Sequence, residues 1–404
     1  MASWWNMMSR RNRRSATAAA HPAPPEAKAA APLIAFQANT SARWAPRNYA
    51  AFAREGVMRN AVVYRCVRLI AEAAASVPIA PQARDETSAD LSAVARLLAK
   101  PAPGVTGTDV LECWYGYLLV SGNAYMQAVS AGGVVRGLQV LRPDRVTVCA
   151  SADGWPEAYE YQSAGRRVVL PREHADGTPS VLHLRLFHPE DDHYGLSPIE
   201  AAATAVDIHN GASQWNKALL DNAARPSGAL VYAAGEHMTA EQFDRLKSEL
   251  EESFQGARNA GRPLLLEGGL DWKSMSLSPR DMDFIAAKNA AAREIALALG
   301  VPPMLLGIPG DNTYANYQEA NRTFWRQTVL PLVNRTARAL SVWLEPVAGA
   351  PFTLQPDLDA VEALSPEREA LWRRLEAVSF LSEAEKRAVL NYPPRAVDPP
   401  AADG

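Results

Sequence analysis

From Ser278-Pro279 onward, Phe284, Ala287, Ala291, Ile295 and Ala298 recur at helical spacing, while Asp281, Asp283, Lys288, Arg293 and Glu294 take the other positions. The seam is mostly alanine, and small seam residues let a second helix come close, so the pattern predicts helix-on-helix packing. Gly300 and Val301-Pro302-Pro303 end this helix, because proline cannot continue it and pushes the preceding residue toward extended geometry. A polar loop from Gly307 to Asn312 follows, and Asn312 or Thr313 suits the cap of the next helix. From Tyr314 to Leu344 there is no glycine, and Phe324, Val329, Leu332, Thr336, Leu340 and Trp343 keep one face. At about 1.5 Å per residue this is a rod of roughly 45 Å. Pro331 lies inside it and predicts a lost bond to the Gln327 carbonyl and a kink.

A second alanine-seamed helix opens at Ser197-Pro198 and runs from Ile199 to about Asn222 through Ala202, Ala205, Ile208, Ala212, Trp215 and Leu219. Ahead of it the pattern predicts helices over 60–76 and 90–98 and a third capped by Thr108. The period then changes to two, giving short antiparallel strands at 124–129, 134–141, 146–150, 158–162, 168–170 and 181–186. Helices followed by a run of strands make an α+β domain. Between the two alanine-seamed helices sits a compact α/β insert. Its strands are 229–232, 263–266 and 271–277, and its helix opens on Thr239 with Gln242 as a capping box and Met238 with Phe243 as a staple. Two helices close the chain, one starting at the cap Ser365-Pro366 and one at the capping box Ser382 with Glu385.

Composition narrows the function. With 404 residues and 48% hydrophobic content the chain can build real cores, while residues 1–48, rich in Ala, Pro and Arg, read as a disordered arm. A net charge of −3 and a pI near 6.2 exclude a protein that coats nucleic acid by bulk charge. Cys66, Cys113 and Cys149 lie far apart without CxxC spacing, so neither a disulfide framework nor a zinc knuckle is expected, and a reducing compartment fits. No apolar run nears the roughly 20 residues of a membrane span, and no secretory leader is evident, which predicts a soluble chain that is not exported.

Candidate chemistry is thin. Gly256 to Arg262 has the glycine spacing of a phosphate loop, but Arg262 and Pro263 replace the lysine and the Ser/Thr, and the segment follows a helix instead of opening one. His188, Glu190, Asp191, Asp192 and His193 could be imagined as a metal site, against the plainer reading of a solvated connection. His183 and His209 read as core or seam histidines, and the charge run from Glu241 to Glu252 as a solvated helix face.

Several local motifs together resemble a known family. They are Val62-Val63-Tyr64-Arg65-Cys66-Val67, Gly122-Asn123-Ala124-Tyr125, Leu141-Arg142-Pro143-Asp144, Tyr194-Gly195-Leu196-Ser197-Pro198-Ile199 and Pro226-Ser227-Gly228. With them go Leu299-Gly300-Val301-Pro302-Pro303-Met304-Leu305-Leu306-Gly307 and Asn316 to Glu319. Over residues 49 to 394 the chain resembles the HK97-type portal proteins of tailed phages and phage-like gene transfer particles. Ala61 departs from the family, many of whose members carry proline after the asparagine.

The resemblance implies a portal fold and a homo-oligomeric ring, typically of twelve subunits, at one capsid vertex of a virion or phage-like particle assembled in the host bacterial cytoplasm. Double-stranded DNA would enter and leave through it. It further implies a wing at 49–198, stem helices at 199–225 and 279–301, an α/β clip at 226–278, a tunnel loop with the long kinked helix at 302–348, and a wing return with a short helical crown at 349–404. The tunnel loop would comprise Gly307, Pro309, Gly310, Asp311, Asn312, Thr313 and Tyr314. The clip would present Glu241, Arg245, Glu251 and Glu252 to the terminase and head-tail connectors. The major capsid protein and head-completion proteins are the other implied partners. No cofactor, metal, membrane or enzymatic activity is implied. The competing readings are a metal-dependent nucleic-acid enzyme using residues 188–193 and another ring-forming connector.

Overall fold

Capping chemistry sets where the helices begin. The computed structural model describes residues 48–83, 91–174, 177–221, 228–232, 239, 241, 244–245, 270–274, 284–308, 314–390 and 392. Helix α1, Ala61–Ser76, starts where the Asn60 carboxamide oxygen accepts the amide hydrogens of Val62 and Val63 at 3.0 and 3.1 Å. The cap works with alanine at position 61, so the departure from proline there does not displace the helix start. Helix α2, Ser92–Ala99, leads to α3, Gly107–Ser121, which is capped by Thr106 and not by Thr108. A capping box needs an acceptor three residues on: Asp109 stands there for Thr106, returning a bond to its amide at 2.9 Å, whereas Leu111 stands there for Thr108.

Strand β1, Ile79–Ala83, follows α1, and six strands follow α3: β2 Asn123–Ala131, β3 Val134–Leu141, β4 Val146–Ala150, β5 Pro156–Ser163, β6 Arg166–Pro171 and β7 Val181–Arg185. They form two antiparallel three-stranded sheets, ordered β3-β2-β7 and β4-β5-β6. The α+β class expected from the change of period is therefore the class observed.

The second alanine-seamed stretch forms a helical turn, Pro198–Ala201, and then α4, Ala203–Asp221. It packs on α5, Phe284–Ala298. The buried positions are Ala205, Val206, His209 and Ala212 of α4 with Ala291, Ala292, Ile295 and Ala296 of α5. Both helices are rotated from the expected seams: Ala287, Ile208 and Trp215 face outward and Val206, His209, Ala292 and Ala296 replace them. An alanine stripe has too little apolar contrast to set the rotation of a helix, so the larger side chains of the rest of the core decide it.

The long rod is α6, Tyr314–Phe324, a π-helical turn, Trp325–Val329, and α7, Leu330–Trp343. The interruption expected at Pro331 takes the form of this π turn, in which the Leu330 amide reaches five residues back to the Trp325 carbonyl. Pro331 then falls in the first turn of α7.

Strand β10, Phe352–Pro356, pairs antiparallel with β1, and the Ser341 hydroxyl of α7 accepts from the Leu354 amide at 2.8 Å. Neither strand was evident from periodicity. Helix α8, Ser365–Ala377, starts with Ser365 already helical and making no side-chain cap, while Pro366 keeps its expected first-turn place. Helix α9, Glu383–Val389, opens on the Ser382–Glu385 capping box.

One core draws on α1, α3, α5, the π turn, α7, β2 and β10, with Trp114, Ile70, Ile295, Phe324 and Leu340 fully buried. Tyr125, Leu141, Val146, Tyr159 and Val181 form a smaller cluster where the two three-stranded sheets meet. A two-stranded ladder, β8 Gly228–Tyr232 with β9 Leu270–Ser274, belongs to a separate unit. The remaining calls in the insert, including the Gln242 and Phe243 partners of Thr239, the segment 256–262 and the strand 263–266, lie outside the described residues.

Candidate functional site

Helix α5 leads into a rigid turn. The Val301 amide reaches the Ala296 carbonyl at 2.8 Å, Gly300 takes a left-handed φ of 69°, and Pro303–Leu306 make a tight 3-10 turn. The turn is bolted to the rod: the Thr328 hydroxyl of the π turn donates to the Gly300 carbonyl at 2.6 Å. A Cβ at Gly300 would lie 2.8 Å from that hydroxyl oxygen, so glycine serves both the backbone angle and the contact. Gly307 is again left-handed, with φ 70°, and Ile308 is buried beneath it.

The described chain stops at Ile308 and resumes at Tyr314. Of the residues singled out there, Gly307 sits exposed on the turn and Tyr314 opens α6, while Pro309, Gly310, Asp311, Asn312 and Thr313 lie outside the described residues. Ala315 to Glu319, the first turns of α6, are all exposed. Of the insert residues, Glu241 and Arg245 are exposed helical positions, and Glu251 and Glu252 lie outside the described residues.

Where α1, α4 and the π-helical segment Phe52–Val57 meet, Asn60 is fully engaged. Its Nδ2 donates to Asn210 Oδ1 at 3.0 Å and faces His209 Nδ1 at 3.1 Å, and Asn210 Nδ2 donates to the Glu55 carbonyl at 2.8 Å. With the Asn60 amide as donor, His209 is a neutral ring accepting at Nδ1. Burial lowers its pKa, with Lys288 of α5 adding to the effect. His209 is the seam histidine that the sequence suggested.

A second joint ties the sheets to the start of α4. Gly122, left-handed at φ 76°, lies against Gly195, and a Cβ on Gly195 would stand 2.1 Å from the Gly122 oxygen. Asn123 clamps the contact: its Oδ1 accepts from the Gly195 amide at 2.8 Å and its Nδ2 donates to the Gly195 carbonyl at 3.3 Å. The Ser197 hydroxyl, which caps the following helical turn, donates to the Leu119 carbonyl at 3.2 Å. The Tyr194 hydroxyl accepts from the Val148 amide at 2.9 Å. Both motifs were visible in the sequence, but nothing local said that they touch.

His183 completes this joint. Its Nε2 donates to Asn123 Oδ1 at 3.0 Å and its ring stacks on Tyr125 at 4.2 Å. Burial, aided by Arg185 and His193, lowers its pKa from 6.5 to about 3. The folded pKa lies below the unfolded one, so stability is full above pH 6.5 and falls as the pH drops toward 3. The slope reaches at most about 1.4 kcal/mol per pH unit for one proton. His183→Gln is therefore expected to melt lower at pH 7 but to lose less between pH 7 and pH 5 than the parent. Equal losses in thermal melts would assign the acid sensitivity to another group.

The stretch 188–193 forms a turn. Asp191 Oδ1 accepts the amides of His193 and Tyr194 at 2.7 and 2.9 Å. Burial would raise the Asp191 pKa, but these amide bonds outweigh it and hold the carboxyl below its ordinary value. Among the described residues no three His, Cys, Asp or Glu side chains are grouped to hold a metal ion, and no helix is long and apolar enough to cross a membrane.

Residues 61–391 match the family described as "Phage portal protein". The chain is 51% identical to a chain in the solved neck of a native gene transfer agent particle computed with C12 symmetry, covering 88% of this chain and 97% of that one with a TM-score of 0.65. It is 42% identical over 338 residues to an uncharacterized protein of Rickettsia bellii, covering 83% of this chain and 87% of the relative. It is 27% identical to the portal protein of Enterobacteria phage HK97, covering 72% of this chain and 68% of that protein.

Proposed function

The chain belongs to the phage portal protein family, and we propose that it forms the ring at one vertex of a phage-like capsid, the channel through which double-stranded DNA is packaged and released. The observation that carries the assembly is the outer side of α4 and α5. Ile208 and Trp215 of α4 and Leu297 of α5 stay exposed, and apolar side chains kept in water on one helix pair call for further copies. Twelve copies is the count that the C12 neck structure supports. Negative-stain imaging and light scattering of the purified protein and of particles test this; single subunits even inside assembled particles would overturn it.

In this reading residues 49–198 are the wing, 199–225 and 279–301 the stem helices, 226–278 the clip, 302–348 the tunnel loop with its supporting helix, and 349–404 the wing return and crown. The terminase and head-tail connectors dock on the clip through Glu241, Arg245, Glu251 and Glu252, and the major capsid protein surrounds the ring. The packaging motor is a separate protein.

Two anchored ends support a tunnel loop at 307–314. Thr328 on Gly300 fixes its root and α6 carries its far end. No residue from Gly307 to Tyr314 is basic. A channel along which DNA slides cannot hold phosphates, since each neutralised phosphate adds affinity through counterion release. Asp311→Lys is accordingly expected to leave the ring and capsid intact and to slow packaging, more so at low salt, where exposed charges are less screened. Packaging at the parental rate at both salt concentrations would place this loop away from the DNA.

A further inference from the structure

An open groove of about 520 Å³ runs beside α8, floored by Leu330, Pro331, Leu364 and Leu371 and edged by Arg326 and Arg374. Arg368, also in its wall, is held by Asp359, and Glu367 lies 3.6 and 3.5 Å from Arg322 and Arg326. Arg374 stands at the rim outside these pairs. At about 100° per residue, Leu364, Leu371 and Arg374 share one side of α8, and Glu369, Arg373 and Glu376 share the opposite side. That opposite side continues into the turn between α8 and α9, where Phe380 is 85% exposed and Glu383 follows. From Ser365 to Leu390 only Leu375 and Leu390 are buried.

We propose that the groove receives the Phe380 turn of the adjacent copy in the ring. This rests on the ring reading above and adds to it a pair of contacting surfaces. A closed cyclic ring is built from heterologous contacts, so each subunit must offer two different surfaces, one to each neighbour. Helix α8 has them on opposite sides: an apolar trough with a basic rim, and an exposed aromatic between Glu376 and Glu383. Seating the aromatic in the trough brings the two carboxylates to Arg326 and Arg374, which fixes direction around the ring.

The test places one cysteine in the trough and one on the turn, Asn334→Cys with Phe380→Cys, in a chain carrying Cys113→Ser and Cys149→Ser. Mild oxidation of rings, checked by negative stain, is expected to give a ladder of covalent oligomers that neither single cysteine variant gives. Intact rings without a ladder, or with only an internal disulfide in each monomer, overturn the proposal. A parental chain, with Phe380 in place, that makes no rings overturns the ring reading and this contact with it. Phe380→Asp supplies an independent check: because Phe380 is exposed in the single subunit, the subunit melt should not change, while ring yield should fall at least tenfold. Unchanged ring yield counts against the contact.

Discussion

Gly195→Ala is expected to leave no stably folded subunit, whereas Gly132→Ala is expected to fold with a loss on the order of 1 kcal/mol. At Gly195 the added Cβ would meet the Gly122 oxygen at 2.1 Å, the Leu186 nitrogen at 2.6 Å and the Leu186 oxygen at 2.9 Å. All three are backbone atoms, so no side chain can swing away. Relief would require moving Gly195 away from the Gly122–Leu186 pairing, to which both ends of the Asn123 carboxamide hold it. Each buried polar group orphaned by that separation costs about 1–3 kcal/mol. A few of them reach the roughly 5–15 kcal/mol by which a domain is stable at all. Gly132, by contrast, has a φ of 61° and open space around it, so alanine there bears only the backbone strain. Soluble yield and thermal melts decide the matter; a Gly195→Ala protein melting within a few degrees of the parent would show that this contact yields easily.

Leu297→Glu is expected to convert rings into folded single subunits. Leu297 is 80% exposed on α5, beside the buried Ile295 and Ala296, so the substitution stays within about 0.5 kcal/mol for the isolated subunit. In the ring the same carboxylate would enter an apolar contact without a partner, at a cost of several kcal/mol for each interface. Every 1.4 kcal/mol is a factor of about ten in the association constant, and closing a ring multiplies the penalty over all its interfaces. Size-exclusion chromatography with light scattering should show monomers whose melting matches the parental subunit. Rings at the parental level would take this side of α5 out of the interface.

Much of the local architecture could be read from residue order. The helix over 60–76, the Ser382–Glu385 box, the strand run and the two prolines after Gly300 are each decided by chemistry within a few residues of the chain. The family, too, was legible, because its motifs are contiguous. Strand β1 was hidden since Pro81 argues against a strand, and only the antiparallel partner at 352–356 makes it one. The π turn at 325–329 was likewise silent, because a proline announces a break but not which hydrogen bonds will replace the lost one.

What the sequence determined by itself, then, were the elements and their ends; the tertiary structure decided which way they face and which of them touch. The alanine seams show the difference. Spacing marked α4 and α5 as close-packing helices, but their rotation, with Ala292 and Ala296 inward and Ala287 outward, depends on the volume left by Trp114, Phe324 and the rest of the core. The joint between Gly122-Asn123 and Gly195 is the same case in hydrogen bonds. Two short motifs more than seventy residues apart share one polar clamp, and such a contact is selected by the free energy of burying both segments together, which no local window of sequence contains.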